Sequence, residues 1–367
     1  MKVFAKVRAG VGIVFLAAAC CLSSYGQSSF NSSGVISVVA STVPANGDVN
    51  PYGLVRVARS SGALVKGNLL VSNFNNSANL QGTGTTIVQI SPEGVVTLFA
   101  QLDANNLPGP CPGGIGLTTA LAVLRSGWVI VGSLPTTDGT SATAEAGCLL
   151  VLDNEGKVVE TFFGSLINGP WDMTALDSGS SADLFVTNVL NGTVAGGGKV
   201  VDRGTVTRLT LTHLFTAMPS LESITVIGSG FAERTDPAAL VIGPTGVGLN
   251  PAAEVLYVAD SLHNRIVAIS DPVSRLTSAG VGETVTRGGA LNDPLGLTVA
   301  PGGNILTVNG NNGLLVETTP NGQQIKTKLL DSSGSPPGAG ALFGLVEAPG
   351  GELYYVDDAT NTLNLFK

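Results

Sequence analysis

Pro244-Thr245-Gly246-Val247, Glu254-Val255-Leu256-Tyr257-Val258-Ala259-Asp260-Ser261 and Asn264-Arg265-Ile266-Val267-Ala268-Ile269 read as three consecutive strands. The first opens on Pro-x-Gly, the second is apolar and ends in Asp, and the third alternates after a polar turn. The phrase returns along the chain. Its openings are Pro51-Tyr52-Gly53, Ile115-Gly116-Leu117, Pro170-Trp171-Asp172, Pro294-Leu295-Gly296 and Phe343-Gly344-Leu345. Its apolar strands recur at Leu69-Leu70-Val71, Val129-Ile130-Val131, Leu184-Phe185-Val186, Ile305-Leu306-Thr307 and Leu353-Tyr354-Tyr355. A unit repeating every few tens of residues buries its apolar face only against its neighbours, so the period dictates the architecture. Six copies predict an all-β, six-bladed β-propeller of four-stranded blades.

The blades are expected at about 50–100, 113–163, 168–212, 221–271, 289–330 and 340–367. Glu93-Gly94, Glu155-Gly156 and Asn321-Gly322 supply the positive φ that tight hairpin turns need. No mature window of a dozen residues carries a 3.6-residue apolar period. The sixth copy runs out after three strands, and Gly34-Val35-Ile36-Ser37-Val38-Val39-Ala40 alternates well enough to supply the fourth. That strand closes the ring and removes the open sheet edges.

Lys2, Lys6 and Arg8 precede an apolar stretch, Val11 to Ala19, too short to span a bilayer. With Ser24-Tyr25-Gly26 behind it, residues 1–26 read as a cleaved signal peptide and 27–367 as one propeller domain. A lipoprotein attached through Cys20 is the alternative. Either way the protein is expected to be exported, periplasmic or extracellular, with no membrane span and as a monomer. The leader holds three cations and no acid, leaving 15 Lys and Arg against 26 Asp and Glu, a net charge of −11. Such a charge repels nucleic acid and anionic membranes, so neither is an expected partner.

Cys20 and Cys21 depart with the leader, leaving Cys111 in the loop before the first strand of the second copy and Cys148 at the start of its third. An even pair in an exported chain predicts a disulfide joining the loop 107–114 to the insertion 134–147.

The run Leu256-Tyr257-Val258-Ala259-Asp260-Ser261-Leu262-His263-Asn264-Arg265-Ile266 resembles an NHL repeat, and the Pro-x-Gly opening fits. The resemblance covers residues 50–367 and implies a six-bladed propeller, mostly a scaffold for proteins or ligands. Similar propellers include streptogramin lyases, gluconolactonase-like esterases and peptidyl-hydroxyglycine lyases. The last hold zinc with three histidines, whereas this chain has only His213 and His263. His263 stands where a streptogramin-type lyase base is conceivable, but its position in a turn predicts an exposed residue. His213 is expected half-buried in a strand. Lactonase-type relatives hold calcium through Glu, Asn and Asp in the channel, and no such triad is assignable here. No metal ligand, cofactor or catalytic residue is therefore named, with a calcium or magnesium ion in the central channel kept as the alternative.

A residue type recurring in most copies serves the fold, so chemistry belongs to the departures. Two residues beyond the recurrent Val stand Asn73, Ser133, Asn188, Asp260, Gly310 and Asp358, a polar set expected to bond turn amides. The x of the openings varies through Tyr52, Ile115, Trp171, Thr245, Leu295 and Phe343, and Asp172 replaces Gly in the third copy. Trp171 and Asp172, joined by Tyr52, Phe343 and His263, are the candidate ligand-binding residues, suited to a sugar or a small cation. The expected function is a secreted or periplasmic scaffold binding a protein, peptide or glycan. The alternative is a metal-dependent, lactonase-like hydrolase or lyase with its site in the channel.

Overall fold

The computed structural model describes Met1 and residues 29–31, 33–252 and 254–367. Apart from Met1, the expected leader, Cys20 included, lies outside the described residues. Six antiparallel sheets form the ring. From the channel outwards, blade I comprises Val49–Arg56, Leu69–Asn75, Thr86–Ile90 and Val96–Gln101, and blade II Leu117–Val123, Val129–Ser133, Cys148–Leu152 and Val158–Phe162. Blade III comprises Pro170–Asp177, Ala182–Asn188, Val201–Thr212 and Ser220–Asp236, with a short fifth strand at Leu240–Ile242. Blade IV runs through Pro244–Asn250, Val255–Asp260, Arg265–Ser270 and Glu283–Arg287, and blade V through Pro294–Val299, Ile305–Asn309, Leu314–Thr318 and Gln324–Leu329. Leu342–Glu347, Leu353–Asp357 and Thr362–Phe366 make blade VI, completed by Ile36–Ser41.

That last strand pairs antiparallel with Thr362–Phe366, Ile36 opposite Phe366 and Ser41 opposite Thr362, which closes the ring as expected. The division between the third and fourth blades differs from the expectation. Ser220–Asp236 is the outer strand of blade III, so residues 221–243 belong there, and blade IV extends to Arg287. Seventeen residues make that strand far longer than a typical propeller strand, and its bulges break the regular alternation.

Position in the blade explains the sequence pattern. Second strands are pressed between neighbouring blades, so Leu69–Asn75 is buried at every residue. The outermost Gln324–Leu329 alternates between half-buried and exposed, because one face meets water. The Cys111–Cys148 disulfide is present. The phrase that ends a strand in Asp and restarts with Asn-Arg-Ile has a structural cause: Asp260 and Arg265 face each other in the ladder, and Arg265 Nε donates to Asp260 Oδ2 at 2.6 Å. Both are buried, and Asn264 turns the chain between them at a φ of 48°.

The ladder also corrects the register of two copies. The opening positions Pro51, Leu117, Pro170 and Pro244 pair with Asn73, Ser133, Asn188 and Asp260, whereas Pro294 pairs with Asn309 and Leu342 with Asp357. Gly310 and Asp358 therefore stand one residue beyond the recurring polar set, where the other blades carry Phe74, Leu134, Val189 and Ser261. In blade II the opening is Leu117-Thr118-Thr119, so Thr118 and not Ile115 holds the position equivalent to Tyr52 and Trp171. Hydroxyls on the first two strands of a blade bond to the innermost strand of the next. Ser72 Oγ donates to the Thr118 carbonyl, Thr118 to Pro170, Thr187 to Thr245 and Thr245 to Pro294, all at 2.8 or 2.9 Å.

Candidate functional site

The channel is plugged by rings. Tyr52 stacks on Phe343 at a centroid distance of 3.8 Å and on Phe74 at 4.5 Å, while Trp171 meets Tyr52 and Phe74 edge-on at 5.6 and 5.9 Å. All four are buried. Above this floor, at the end where the innermost strands begin, opens a cavity of about 870 Å³. Its wall is built from connections. Asn75, Asn79 and Gln81 come from blade I, Ser335 and Gly340 from the loop between blades V and VI, and Asp358 and Asn361 from blade VI. Blade III adds a roof. The hairpin that ends its long strand brings Arg234, Asp236 and Ala238 to Ile242 over the mouth, and Gln81 Nε2 donates to the Ala238 carbonyl at 2.6 Å.

Four non-glycine wall residues are held in left-handed backbone, Asn79 at a φ of 57° and Asn361 at 53° among them. Asn50, at a φ of 63°, and Asp293, at 55°, each precede a strand-opening proline, where Gly169 serves blade III at 66°. A residue before proline is ordinarily extended, and left-handed backbone costs a non-glycine residue on the order of 1 kcal/mol. Three of the six blades enter through this turn, and at two of them Asn50 and Asp293 line the mouth. Room for Asp293 is made by Gly310, whose Cβ, had it one, would stand 2.9 Å from Asp293 Oδ2.

The polar atoms of the wall share one chemistry. Asn50 Oδ1, Asn75 Oδ1, Gln81 Oε1 and Asp358 Oδ1 are buried acceptors without a partner. The Asp293 carboxylate receives no hydrogen bond among the described residues, although its backbone N–H donates to Asn264 Oδ1. Burial, with Asp357 and Asp331 adding to it against the N–H of Ala359, pushes the Asp358 carboxyl up to about 8. Burial and Asp236 raise Asp293 to about 6, with Arg234 acting against them. Tyr52 is raised well above the usual phenol range by its burial and by Asp358. Asp236 goes the other way: burial would raise it, but the N–H groups of Ala239 and Ala238 and the Arg234 guanidinium, 2.7 Å away, lower it.

Of the residues singled out in the sequence, Tyr52, Trp171 and Phe343 do meet, in the floor. Asp172 lies at the opposite mouth, lining a cavity of about 240 Å³. There its two oxygens accept from Met173 N at 2.8 Å and Val247 N at 3.0 Å, clasping blade III to blade IV, and burial pushes the carboxyl up to about 7 against those two bonds. His263 is exposed and leans on Asp260 at 3.0 Å, away from the cavity. His213 is not half-buried in a strand but exposed in the turn after Val201–Thr212, at a φ of 66°. Asn50, Asp293, Arg234 and Asp358 were not singled out for chemistry. The signal was present for two of them, as the only polar side chains directly before a Pro-x-Gly opening.

No cluster of three or more His, Cys, Asp or Glu able to hold a metal ion occurs among the described residues. No helix among them is long and apolar enough to cross a membrane.

No protein-family model matches the chain, and no curated protein matches its sequence. Solved structures do resemble it. Regucalcin, a calcium-binding protein from Agrobacterium tumefaciens, is 12% identical, with 89% of this chain and 92% of the other covered and a TM-score of 0.57. A gluconolactonase from Xanthomonas campestris is 13% identical over 91% and 89%, at 0.52. A streptogramin B lyase is 13% identical over 91% and 97%, at 0.53. At these identities the likeness is one of fold.

Proposed function

We propose that the mouth above the aromatic floor is a catalytic cavity and that the chain is a metal-dependent hydrolase or lyase of the lactonase-like kind. One observation carries the reading: four partnerless buried acceptor oxygens, one of them on Asp358, and the Asp293 carboxylate gather around a single cavity. A buried acceptor without a donor costs about 1–3 kcal/mol, so a wall holding several calls for a ligand that satisfies them. Carboxylate and amide oxygens are the donors that calcium and magnesium prefer. Asp358, Asn50 and Asn75 would hold the ion, which would polarise a substrate carbonyl. Asp293, with its carboxylate free of protein hydrogen bonds, would take a proton from the attacking water or the substrate. The rings of Tyr52, Trp171 and Phe343 exclude water from below and give the substrate an apolar seat. The gluconolactonase and lyase among the structural neighbours support this reading over a binding scaffold.

The working protein is proposed to be exported as a single domain of NHL-like repeats, a reading supported by its disulfide and by the Asp260–Arg265 pairing. Metal analysis of the purified protein, thermal unfolding with and without chelator, and a screen of lactones and esters test the function. The expected result is one divalent ion per chain and chelator-sensitive turnover. An ion at a hundredfold excess over its dissociation constant adds about 2.7 kcal/mol, or about 4 °C in a domain of this size. Absence of ion, shift and turnover would return the protein to the scaffold reading.

A further inference from the structure

We propose that the mouth cavity recognises an organic ammonium group, so that the molecule it takes is an amine held between Asp293 and the aromatic floor. The inference rests on the mouth being the working site, and it names the ligand class. Every buried partnerless polar atom in the wall is an acceptor, Asn75 Oδ1 belonging to a residue that is only 2% exposed. The ligand must therefore bring donors. Arg234 is the one cation among the lining residues, and it is committed: its Nη1 lies 2.7 Å from Asp236 Oδ2 and donates to the Thr235 carbonyl. That pairing leaves Asp293 and Asp358 as carboxyls with no resident cation bonded to them. A single metal ion does not fill about 870 Å³, so space remains above Tyr52, Trp171 and Phe343 for an organic body. Aromatic faces attract cations through their quadrupoles, most strongly when desolvated. An ammonium provides three N–H donors to a carboxylate and amide oxygens at once. The net charge of −8 draws cations toward the mouth from a distance.

Trp171 reports on the site from within. The chain has two tryptophans, and Trp128 lies in the turn before Val129–Ser133, its Nε1 donating to the Leu214 carbonyl away from the mouth cavity, so a W128F variant emits from Trp171 alone. The experiment titrates this variant, in the presence of chelator, with n-butylammonium and with 1-butanol, which has the same reach and donates a hydrogen bond but carries no charge. A saturable change in emission is expected for the ammonium at a concentration at least tenfold lower than for the alcohol. D293N in the same background should weaken ammonium binding about tenfold or more and leave the alcohol unchanged. Asn tolerates left-handed backbone, so this variant keeps the turn. Equal binding of both probes would assign the mouth to hydroxylated ligands, and silence toward both, or indifference to D293N, would also overturn the proposal. Because the titration needs neither ion nor turnover, its failure leaves the hydrolase reading standing. Conversely, ammonium binding without turnover in the lactone and ester screen would sink the catalytic reading alone.

Discussion

Single atoms decide the site. Gly310 carries no side chain where Phe74, Leu134 and Val189 fill space in other blades, and the Asp293 carboxylate uses the vacancy. In a Gly310→Ala variant the new Cβ would lie 2.6 Å from Leu295 Cδ1 and 2.9 Å from Asp293 Oδ2, so one of them must move. The protein should fold, since its backbone there is not left-handed, but ammonium affinity should fall at least tenfold in the Trp171 titration. Asp260 tests the opposite kind of residue. Its removal by Asp260→Ala leaves Arg265 buried and unpaired, and should cost about 3–5 kcal/mol in denaturant unfolding. His263→Ala should cost under about 0.5 kcal/mol, because that partner is exposed. Equal costs would mean that the Asp260–Arg265 pair is not what fixes the turn. The prominence of Asp260 in the sequence thus belongs to the fold, and so does that of its ladder equivalents. Asp358 looked equivalent only because counting from Val356 missed a one-residue change of register, which ladder pairing alone reveals.

At the level of strands, Asp172 joins two blades through backbone N–H groups that would otherwise be buried without partners. Its folded value of about 7 lies above that of an ordinary carboxyl, so the folded protein keeps a proton that the unfolded chain loses near pH 4. The stability that the protonated group contributes is therefore complete at low pH and fades as pH rises through 7. Asn cannot ionise, so Asp172→Asn should gain on the wild type between about pH 5 and pH 9. Comparing unfolding midpoints of the two proteins at both ends of that range checks the sign, and a constant difference would mean that Asp172 does not titrate there. The strands themselves were legible because each is short, β-rich and bounded by turn residues. The long outer strand of blade III was not. Its bulges spoil the alternation, and Gly228 and Gly230 read as turn signals. The roof hairpin that it carries was hidden with it. Loops were legible as excursions, but nothing local indicates that those of blades I, V and III meet over one mouth.

Across the whole ring, closure and cross-linking both rest on contacts far apart in sequence. The disulfide spans 37 residues, and under the chain-entropy model a loop of that size contributes about 3–4 kcal/mol. Cys148→Ser should accordingly lower the midpoint by about 5 °C, read by calorimetry under oxidising conditions. An unchanged midpoint would mean that loop packing alone holds the insertion. The disulfide could be foreseen because cysteine counting needs no knowledge of distance. The closing strand could be foreseen because strand number did not otherwise balance. That same pairing of Ile36–Ser41 with Thr362–Phe366 also sets a timetable for biosynthesis. Blades I to V can each form while the chain is being made, since their strands are consecutive. Blade VI waits for Thr362–Phe366, and until that strand emerges the N-terminal strand has no partner and the growing arc keeps two open edges. The half-made chain is therefore at its most vulnerable to mispairing just before Thr362–Phe366 emerges.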